Sequence, residues 1–313
     1  MHPAAQQITT RTPGKINLLL AVGARGADGY HPLVTVFHAV GVHEDVTVAR
    51  AAEWRLAITG PRRLPPDDDN LALRAGRLLA SRADPWRTAA TPRTLAASIT
   101  LRKRVPVGGG MAGGSADAAG ALVALARLWR LDVTRQQLVD LAGELGADVP
   151  FGISGGVAIG TGRGDRLTQV IARRTFHWVL VPDAEPLSTP AVYARFDEMV
   201  ADGAITPTTR EAALARVERV VTALSAGDAA ALAASLGNDL QEPALTLRPR
   251  LQQVLDLGAE LGAAGAIVSG SGPTVALLAR DAHHAAGLSQ SLLARGHETI
   301  VTTSSHRGAH VLP

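Results

Sequence analysis

Cysteine is absent from the 313-residue sequence, which excludes disulfide bonds, thiolate metal sites and cysteine nucleophiles. Aromatic residues make up only 3% of the chain, and no apolar run reaches the roughly 18 residues that a membrane-spanning helix needs. The N-terminal residues also lack the apolar core of a secretory signal. We therefore expect a cytoplasmic protein that has no membrane partner.

Lysine is almost absent as well, because only Lys15 and Lys103 are lysines among the 31 basic residues. The arginines are spread along the chain without a basic block. With so few aromatic residues to stack on bases, this distribution argues against a nucleic-acid partner. A lysine retained against this background is informative, since an ammonium and a guanidinium are not interchangeable at a site. The content of 46% hydrophobic and 19% charged residues is that of a globular protein.

Hydrophobic periodicity predicts an α+β protein in two domains, residues 1–170 and 171–313, because helices and strands do not alternate strictly. The predicted helices are 70–82, 115–130, 135–145, 190–200, 210–224, 250–261 and 282–294. The predicted strands are 15–22, 33–37, 45–49, 55–59, 95–105, 176–181, 266–269, 275–278 and 299–303.

The segment 108–114 holds five glycines in seven residues between a predicted strand and a predicted helix. Glycines let a phosphate approach the backbone amides closely, and the start of a helix presents unpaired N–H groups to an anion. Ser115 could cap that helix or offer its hydroxyl to a phosphate or a magnesium ion. The loop therefore predicts nucleotide phosphate binding.

Two other nucleotide loops can be compared with this segment. Gly108, Gly110 and Gly113 satisfy the G-x-G-x-x-G pattern of dinucleotide-binding folds, and Asp132 lies 19 residues further on. However, the basic run 102–104 stands where a buried first strand should be apolar, and the helix is followed by a second helix rather than a strand. A Walker loop is excluded because the sequence has no G-x-x-x-x-G-K-[ST]. An NAD-dependent oxidoreductase remains a distant alternative.

The run Pro-x-Gly-Gly-Gly-x-x-Gly-Gly-Ser at 106–115 resembles the phosphate loop of the GHMP kinase family. Residues 13–18 and 269–274 resemble the first and third motifs of that family, in the right order. The resemblance implies a nucleotide-binding N-terminal domain, a C-terminal domain like an α/β plait, and an active site in the cleft between them. It also implies that ATP is bound and that Mg²⁺ arrives with it. The ATP-binding residues that it implies are Pro106, Val107, Gly108, Gly109, Gly110, Met111, Ala112, Gly113, Gly114, Ser115, Ala116, Asn70 and Lys103.

Four further segments are similar to the diphosphocytidyl-methylerythritol kinases within this family: 25–31, 69–71, 145–151 and 189–193. The resemblance implies transfer of the γ-phosphoryl group of ATP to the 2-hydroxyl of a cytidine diphosphate compound. The alternatives are another GHMP kinase, such as a homoserine or mevalonate kinase, and a non-catalytic relative. The sequence predicts no oligomeric state.

Lys15 and Asp148 match the catalytic pair of these kinases. The resemblance implies that Asp148 accepts the proton of the substrate hydroxyl and that Lys15 offsets charge near the γ-phosphate, which suits a reaction that depends on positioning and charge compensation. The implied substrate-binding residues are Asn17, Tyr30, His31, Thr189 and Tyr193. The two tyrosines would stack on the cytosine, and His31 would hydrogen-bond its edge.

Three positions leave a question open. The family loop commonly has glycine where this chain has Ala112, and a positive φ at this alanine would cost about 1 kcal/mol. The family commonly has serine where this chain has Ala116, so one hydroxyl contact to the phosphates is missing. Lys103 suits an adenosine contact, but it also suits a solvated strand edge. The ten histidines show no metal-ligand grouping; His306 and His310 lie in a polar tail.

Overall fold

The computed structural model describes residues 7–60 and 67–313. Its strands are β1 Gln7–Val22, β2 Leu33–Arg50, β3 Arg55–Thr59, β4 Ala97–Arg102, β5 Val157–Gly162, β6 Arg166–Val170, β7 His177–Val181, β8 Gly237–Asn238, β9 Gly265–Val268, β10 Val275–Ala279, β11 Ile300–Thr303 and β12 His310–Val311. Its α-helices are α1 Leu71–Ser81, α2 Gly113–Leu128, α3 Arg135–Gly143, α4 Val149–Ser154, α5 Thr189–Ala201, α6 Arg210–Ala226, α7 Ala229–Ser235, α8 Gln241–Leu247, α9 Arg250–Glu260 and α10 Ala282–Leu293, with a 3₁₀ turn at Asp84–Trp86.

Strands β1 and β2 form the centre of the larger sheet and pair antiparallel from Gln7↔Ala49 to Val22↔Leu33. The prediction of separate strands at 33–37 and 45–49 was wrong, because both lie in the continuous strand β2. The register shifts between Pro13 and Gly14 and between Asn17 and Leu19. These irregularities flank the segment that carries Lys15 and Asn17, and bulges are a common way to redirect side chains.

The larger sheet follows the order β12-β1-β2-β4-β3, with β5 on β2, β6 on β5, and β8 parallel to β1. The β5–β6 hairpin was not predicted, because the six glycines between 152 and 164 hide its alternating pattern. Helix α2 packs against β1 and β2, and its alanine-rich face allows that close approach. The hydrophobic core between them includes Leu122, Leu125 and Trp129.

The smaller sheet is antiparallel, with the order β11-β7-β10-β9. Buried Val and Leu residues of β7 and β10 pack against helices α9 and α10. The predicted strands and helices of this half occur with shifts of one or two residues, whereas the short α7 and α8 were not predicted.

The two sheets confirm the prediction of a two-domain α+β fold. The chain also returns to the larger sheet late, through β8 and β12. The predicted boundary at 170/171 stays a prediction, although it falls between β6 and β7. Within 7–60 and 67–313, no helix is long and apolar enough to cross a bilayer.

Candidate active site

The glycine loop leads directly into helix α2, as its sequence predicts. Ala112 is the N-cap residue, with φ 58° and ψ 35°, and no side chain caps the first amides of the helix. Those N–H groups therefore remain available to an anion, which the positive end of the helix dipole also favours. The left-handed backbone at Ala112 bears out the expected strain at this position, where L-residues other than glycine carry a penalty.

A second glycine turn, 269–274, packs against this loop. The hydroxyl of Ser269 donates to the carbonyl of Gly110 at 3.1 Å. A Cβ atom at Gly110 would overlap the carbonyl oxygen of Ser269, so only glycine allows the two turns to approach this closely. The third sequence motif thus supports the phosphate loop directly.

Lys15 and Asp148 meet on the floor of the cleft. The Nζ atom of Lys15 lies 3.6 Å from Oδ2 of Asp148 and donates to Oδ1 of Asn17 at 2.7 Å. Lys15 is buried, whereas one third of the Asp148 side chain is exposed toward the cleft. Asp148 precedes helix α4 but makes no capping hydrogen bond, so its carboxylate stays available to a substrate.

Hydrogen bonds within the sheet hold the Asn17 side chain in position. Its amide donates to the hydroxyl of Thr35 at 2.8 Å, and Thr35 donates in turn to the carbonyl of Leu19 at 2.6 Å. Because this chain of bonds runs between β1 and β2, it orients Asn17 and, through it, the ammonium of Lys15. Thr35 was not among the predicted residues.

The far end of the cleft is aromatic. The rings of His31 and Tyr193 are stacked, with centroids 5.4 Å apart and planes inclined by 28°. His31 Nδ1 donates to the carbonyl of Gly23 at 2.9 Å, and Nε2 lies 3.1 Å from Oδ1 of Asp197. Both ring nitrogens thus have protein partners. Burial, together with the charge of Asp148, raises the pKa of Tyr193 to about 12, so its phenol is protonated near neutral pH.

Tyr30 borders the same region and is 53% exposed. The guanidinium of Arg163 covers one face of its ring, 3.6 Å from the centroid, and approaches Asp28 at 3.5 Å. A cation–π contact at an exposed site contributes about 0.5–1 kcal/mol, which favours this orientation of the ring. Arg163 lies in the β5–β6 turn, which the sequence analysis did not assign, so it was missed.

Two adjoining cavities connect these groups. The first, of about 370 Å³, is bordered by both glycine turns, the Lys15–Asp148 pair and Tyr193. The second, of about 580 Å³, is bordered by Tyr30, His31 and Asp197. The residues that line both are Leu33, Arg163, Thr189 and Tyr193. The predicted ATP-binding residues that line the first are Pro106, Gly108, Gly109, Gly110, Ala112, Gly113, Gly114 and Ser115.

Several predicted ATP-binding residues do not line this cleft. The side chains of Met111 and Ala116 are buried, and Val107 borders a separate cavity. The Asn70 side chain caps α1 by accepting from Ala72 N at 3.0 Å. A nucleotide contact from these residues stays a prediction.

Lys103 is buried beneath the phosphate loop, so its interpretation as a solvated strand edge was wrong. Its Nζ lies 2.5 Å from Asp117 Oδ2 in α2 and 2.6 Å from Glu44 Oε1 in β2. Burial lowers the pKa of Lys103, but the two carboxylates outweigh it and raise that pKa above its usual value. Burial, reinforced by the charge of Glu44 and opposed by Lys103, raises the pKa of Asp117 to about 7. This buried cluster ties the N-terminal half of α2 to the sheet.

Family models agree with the two halves of this architecture. Residues 70–158 match the GHMP kinases N terminal domain, and residues 220–298 match the GHMP kinases C terminal domain. A relative from Mycolicibacterium smegmatis is named 4-diphosphocytidyl-2-C-methyl-D-erythritol kinase. It is 48% identical over an alignment of 313 positions that covers 98% of this chain and 92% of the relative. This chain belongs to the 4-diphosphocytidyl-2-C-methyl-D-erythritol kinase family of GHMP kinases.

Solved structures of kinases have a fold similar to that of this chain. A crystal structure of 4-(cytidine 5'-diphospho)-2C-methyl-D-erythritol kinase is 32% identical, with a TM-score of 0.74 and coverage of 95% of this chain and 99% of the other. A homoserine kinase from Cytophaga hutchinsonii is 17% identical, with a TM-score of 0.73 and coverage of 100% and 99%. The second likeness concerns the fold alone.

Proposed function

We propose that this protein transfers the γ-phosphoryl group of ATP to the 2-hydroxyl of 4-diphosphocytidyl-2-C-methyl-D-erythritol, a step in non-mevalonate isoprenoid precursor synthesis. The observation that carries the proposal is the placement of the Lys15–Asp148 pair between an uncapped phosphate loop and an aromatic pocket. A cytidine diphosphate substrate has an aromatic base at one end, which suits the aromatic pocket, and a hydroxyl-bearing group at the other, which suits the Lys15–Asp148 pair. The names of the similar kinases support the same reaction.

In this proposal the carboxylate of Asp148 accepts the proton of the attacking hydroxyl. The Lys15 ammonium, 3.6 Å from this carboxylate, offsets the negative charge that the hydroxyl and the γ-phosphate bring together. Phosphoryl transfer needs little covalent help from a protein, so these positioning and electrostatic effects supply most of the catalysis.

The nucleotide phosphates would lie on the amides of the glycine loop and of the first turn of α2. Within the described ranges, no three carboxylate or histidine groups lie close enough together to hold a metal ion. The Ser115 hydroxyl borders the cleft, so the donor set suits a Mg²⁺ ion that keeps phosphate oxygens and waters as most of its ligands. When bound, that ion would neutralise charge on the phosphates.

The cytosine would lie between the Tyr30 and Tyr193 rings, where stacking on each aromatic face contributes about 1–3 kcal/mol. Since both ring nitrogens of His31 already have partners, hydrogen bonds to the cytosine edge would come from the His31 main chain. Thr189 and Asn17 would contact the remainder of the substrate.

A coupled ADP-release assay tests the proposal with diphosphocytidyl-methylerythritol, homoserine and mevalonate as substrates. We expect turnover only of the cytidine compound, with MgATP as donor, and no micromolar binding of NAD by calorimetry. Turnover of homoserine or mevalonate instead would leave a GHMP kinase of different specificity, and NAD binding with ATP inert would reject the kinase mechanism.

A further inference from the structure

The short strand β8 brings two adjacent polar residues, Asn238 and Asp239, to the side of the catalytic strand β1. β8 pairs parallel with β1 at Leu19 and Leu20, and the Asp239 N–H donates to the Leu20 carbonyl at 2.9 Å. Neither Asn238 nor Asp239 lines the cleft. Their side chains act on two different parts of it.

Asn238 holds the glycine turn 269–274. Its Nδ2 donates to the carbonyls of Val268 at 2.8 Å and Gly270 at 2.7 Å, and its Oδ1 accepts from Leu240 N at 2.9 Å. Every hydrogen of this amide is therefore used, and no other uncharged side chain of the same shape could both donate twice and accept.

The turn that Asn238 holds reaches the phosphate end of the cleft. Gly270 has φ 59°, and a Cβ atom there would lie 3.2 Å from Asn17 Oδ1 and 3.4 Å from Lys15 Nζ. On its other side the turn contacts the glycine loop, through the Ser269 hydroxyl bond to Gly110. A shift of this turn would therefore move the catalytic lysine and the phosphate loop together.

Asp239 holds the end of β1 at the other side of the site. Its Oδ2 accepts from Val22 N at 2.8 Å and from the Thr208 hydroxyl at 2.6 Å, and its Oδ1 accepts from Arg216 at 2.7 Å. Val22 is followed by Gly23, the residue whose carbonyl orients the His31 ring. The Asp239 carboxylate thus fixes the backbone from which the aromatic pocket begins.

We propose that Asn238 and Asp239 are positioning residues with separate tasks, Asn238 for the phosphate end of the cleft and Asp239 for the cytidine end. The inference rests on the proposed function, since it assigns the two ends to ATP and to the cytidine substrate. Asn238→Asp keeps the side-chain shape but turns a carboxylate oxygen toward two carbonyls. Asp239→Asn keeps the shape but turns an amide N–H toward another donor.

The test compares these two variants with wild type in steady-state kinetics and in calorimetric titrations with ADP and CMP. We expect Asn238→Asp to lower kcat/KM for ATP and to weaken ADP binding by about 10- to 100-fold, with CMP binding changed less than threefold. We expect Asp239→Asn to raise the KM for the cytidine substrate and to weaken CMP binding by about 5- to 20-fold, with ADP binding nearly unchanged.

Thr10→Val is the matched control for stability, because the Thr10 hydroxyl also donates to a carbonyl, that of Gly120, at 2.9 Å in the core away from the cleft. It should lower the melting temperature without moving either affinity. If Asn238→Asp or Asp239→Asn does not fold, Asn238→Ser and Asp239→Glu carry the same comparison. Equal losses of ADP and CMP binding in both variants, or losses that follow only the melting temperature, would overturn the inference. A wild-type protein that binds neither ligand would instead reject the proposed function.

Discussion

The ammonium of Lys15 lies 3.6 Å from the carboxylate of Asp148, although the two residues are 133 positions apart and belong to β1 and to the N-terminal end of α4. Lys15 is buried and Asp148 faces the cleft. A carboxylate that faces the cleft beside a fixed cation is the arrangement that we propose for removal of the proton from the substrate hydroxyl.

Replacement of this base should abolish most of the activity. Asp148→Asn keeps the shape of the side chain but cannot accept the proton, so we expect kcat to fall by at least about 100-fold with a smaller change in the KM for ATP. Asp140→Asn is the control, because Asp140 is an exposed carboxylate on α3 that accepts from Gln136 on the same helix. Activity of Asp148→Asn within threefold of wild type would show that the base lies elsewhere.

Tyr193 should contribute to binding of the cytidine substrate and not of ATP. Removal of its ring in Tyr193→Ala should raise the KM for the substrate by about 5- to 100-fold, equivalent to about 1–3 kcal/mol of stacking. Tyr193→Phe keeps the ring and should stay close to wild type. The experiment measures both KM values and competition by CMP; equal losses for ATP and substrate would indicate a packing residue only.

Ala112 should be a site of stored backbone strain. Because its φ of 58° suits glycine, Ala112→Gly should raise the free energy of unfolding by about 1 kcal/mol in chemical denaturation. Ala116→Gly is the matched opposite, since Ala116 lies inside helix α2, where glycine costs about 1 kcal/mol. Destabilisation by both substitutions would contradict the strained loop.

The buried cluster around Lys103 should be needed for stability. Lys103→Met leaves two buried carboxylates without a cation, so we expect a loss of about 3–5 kcal/mol in the free energy of unfolding. Arg102→Met, at the adjacent exposed position, should change it by less than about 0.5 kcal/mol. Similar unfolding midpoints for the two variants would exclude this structural role.

The same cluster should make stability depend on pH. The pKa of Asp117 is about 7 in the folded protein, compared with an ordinary aspartate value of 3.8 in the unfolded chain. The folded chain therefore binds this proton more tightly than the unfolded chain does. Stability from this group is therefore present at low pH and is lost as pH rises from about 4 to about 7. Asp117→Asn cannot ionise and should flatten this part of the curve of unfolding free energy against pH. Parallel curves for the variant and wild type would place the proton elsewhere.

Local patterns in the sequence were sufficient for several parts of this protein. The glycine loop, the helix behind it and the expected strain at Ala112 follow from neighbouring residues alone, because φ preferences are local. The suggestion that Ser115 caps this helix was wrong, because the helix already begins at Gly113. Most helices and strands were predicted for the same reason. The β5–β6 hairpin was not, since its glycines obscure the alternation that identifies a strand.

Only the tertiary structure decided which distant residues share a function. The basic run at 102–104 gave no indication that Lys103 would be buried, because its partners Glu44 and Asp117 come from β2 and α2. Likewise, Arg163 meets Tyr30 beside the paired strands β2 and β5, and the Asn238 side chain bonds Gly270 between the two sheets. The sequence determines which chemical groups each segment carries. Burial and long-range pairing determine whether a charged or polar side chain faces a ligand or instead holds another side chain in position.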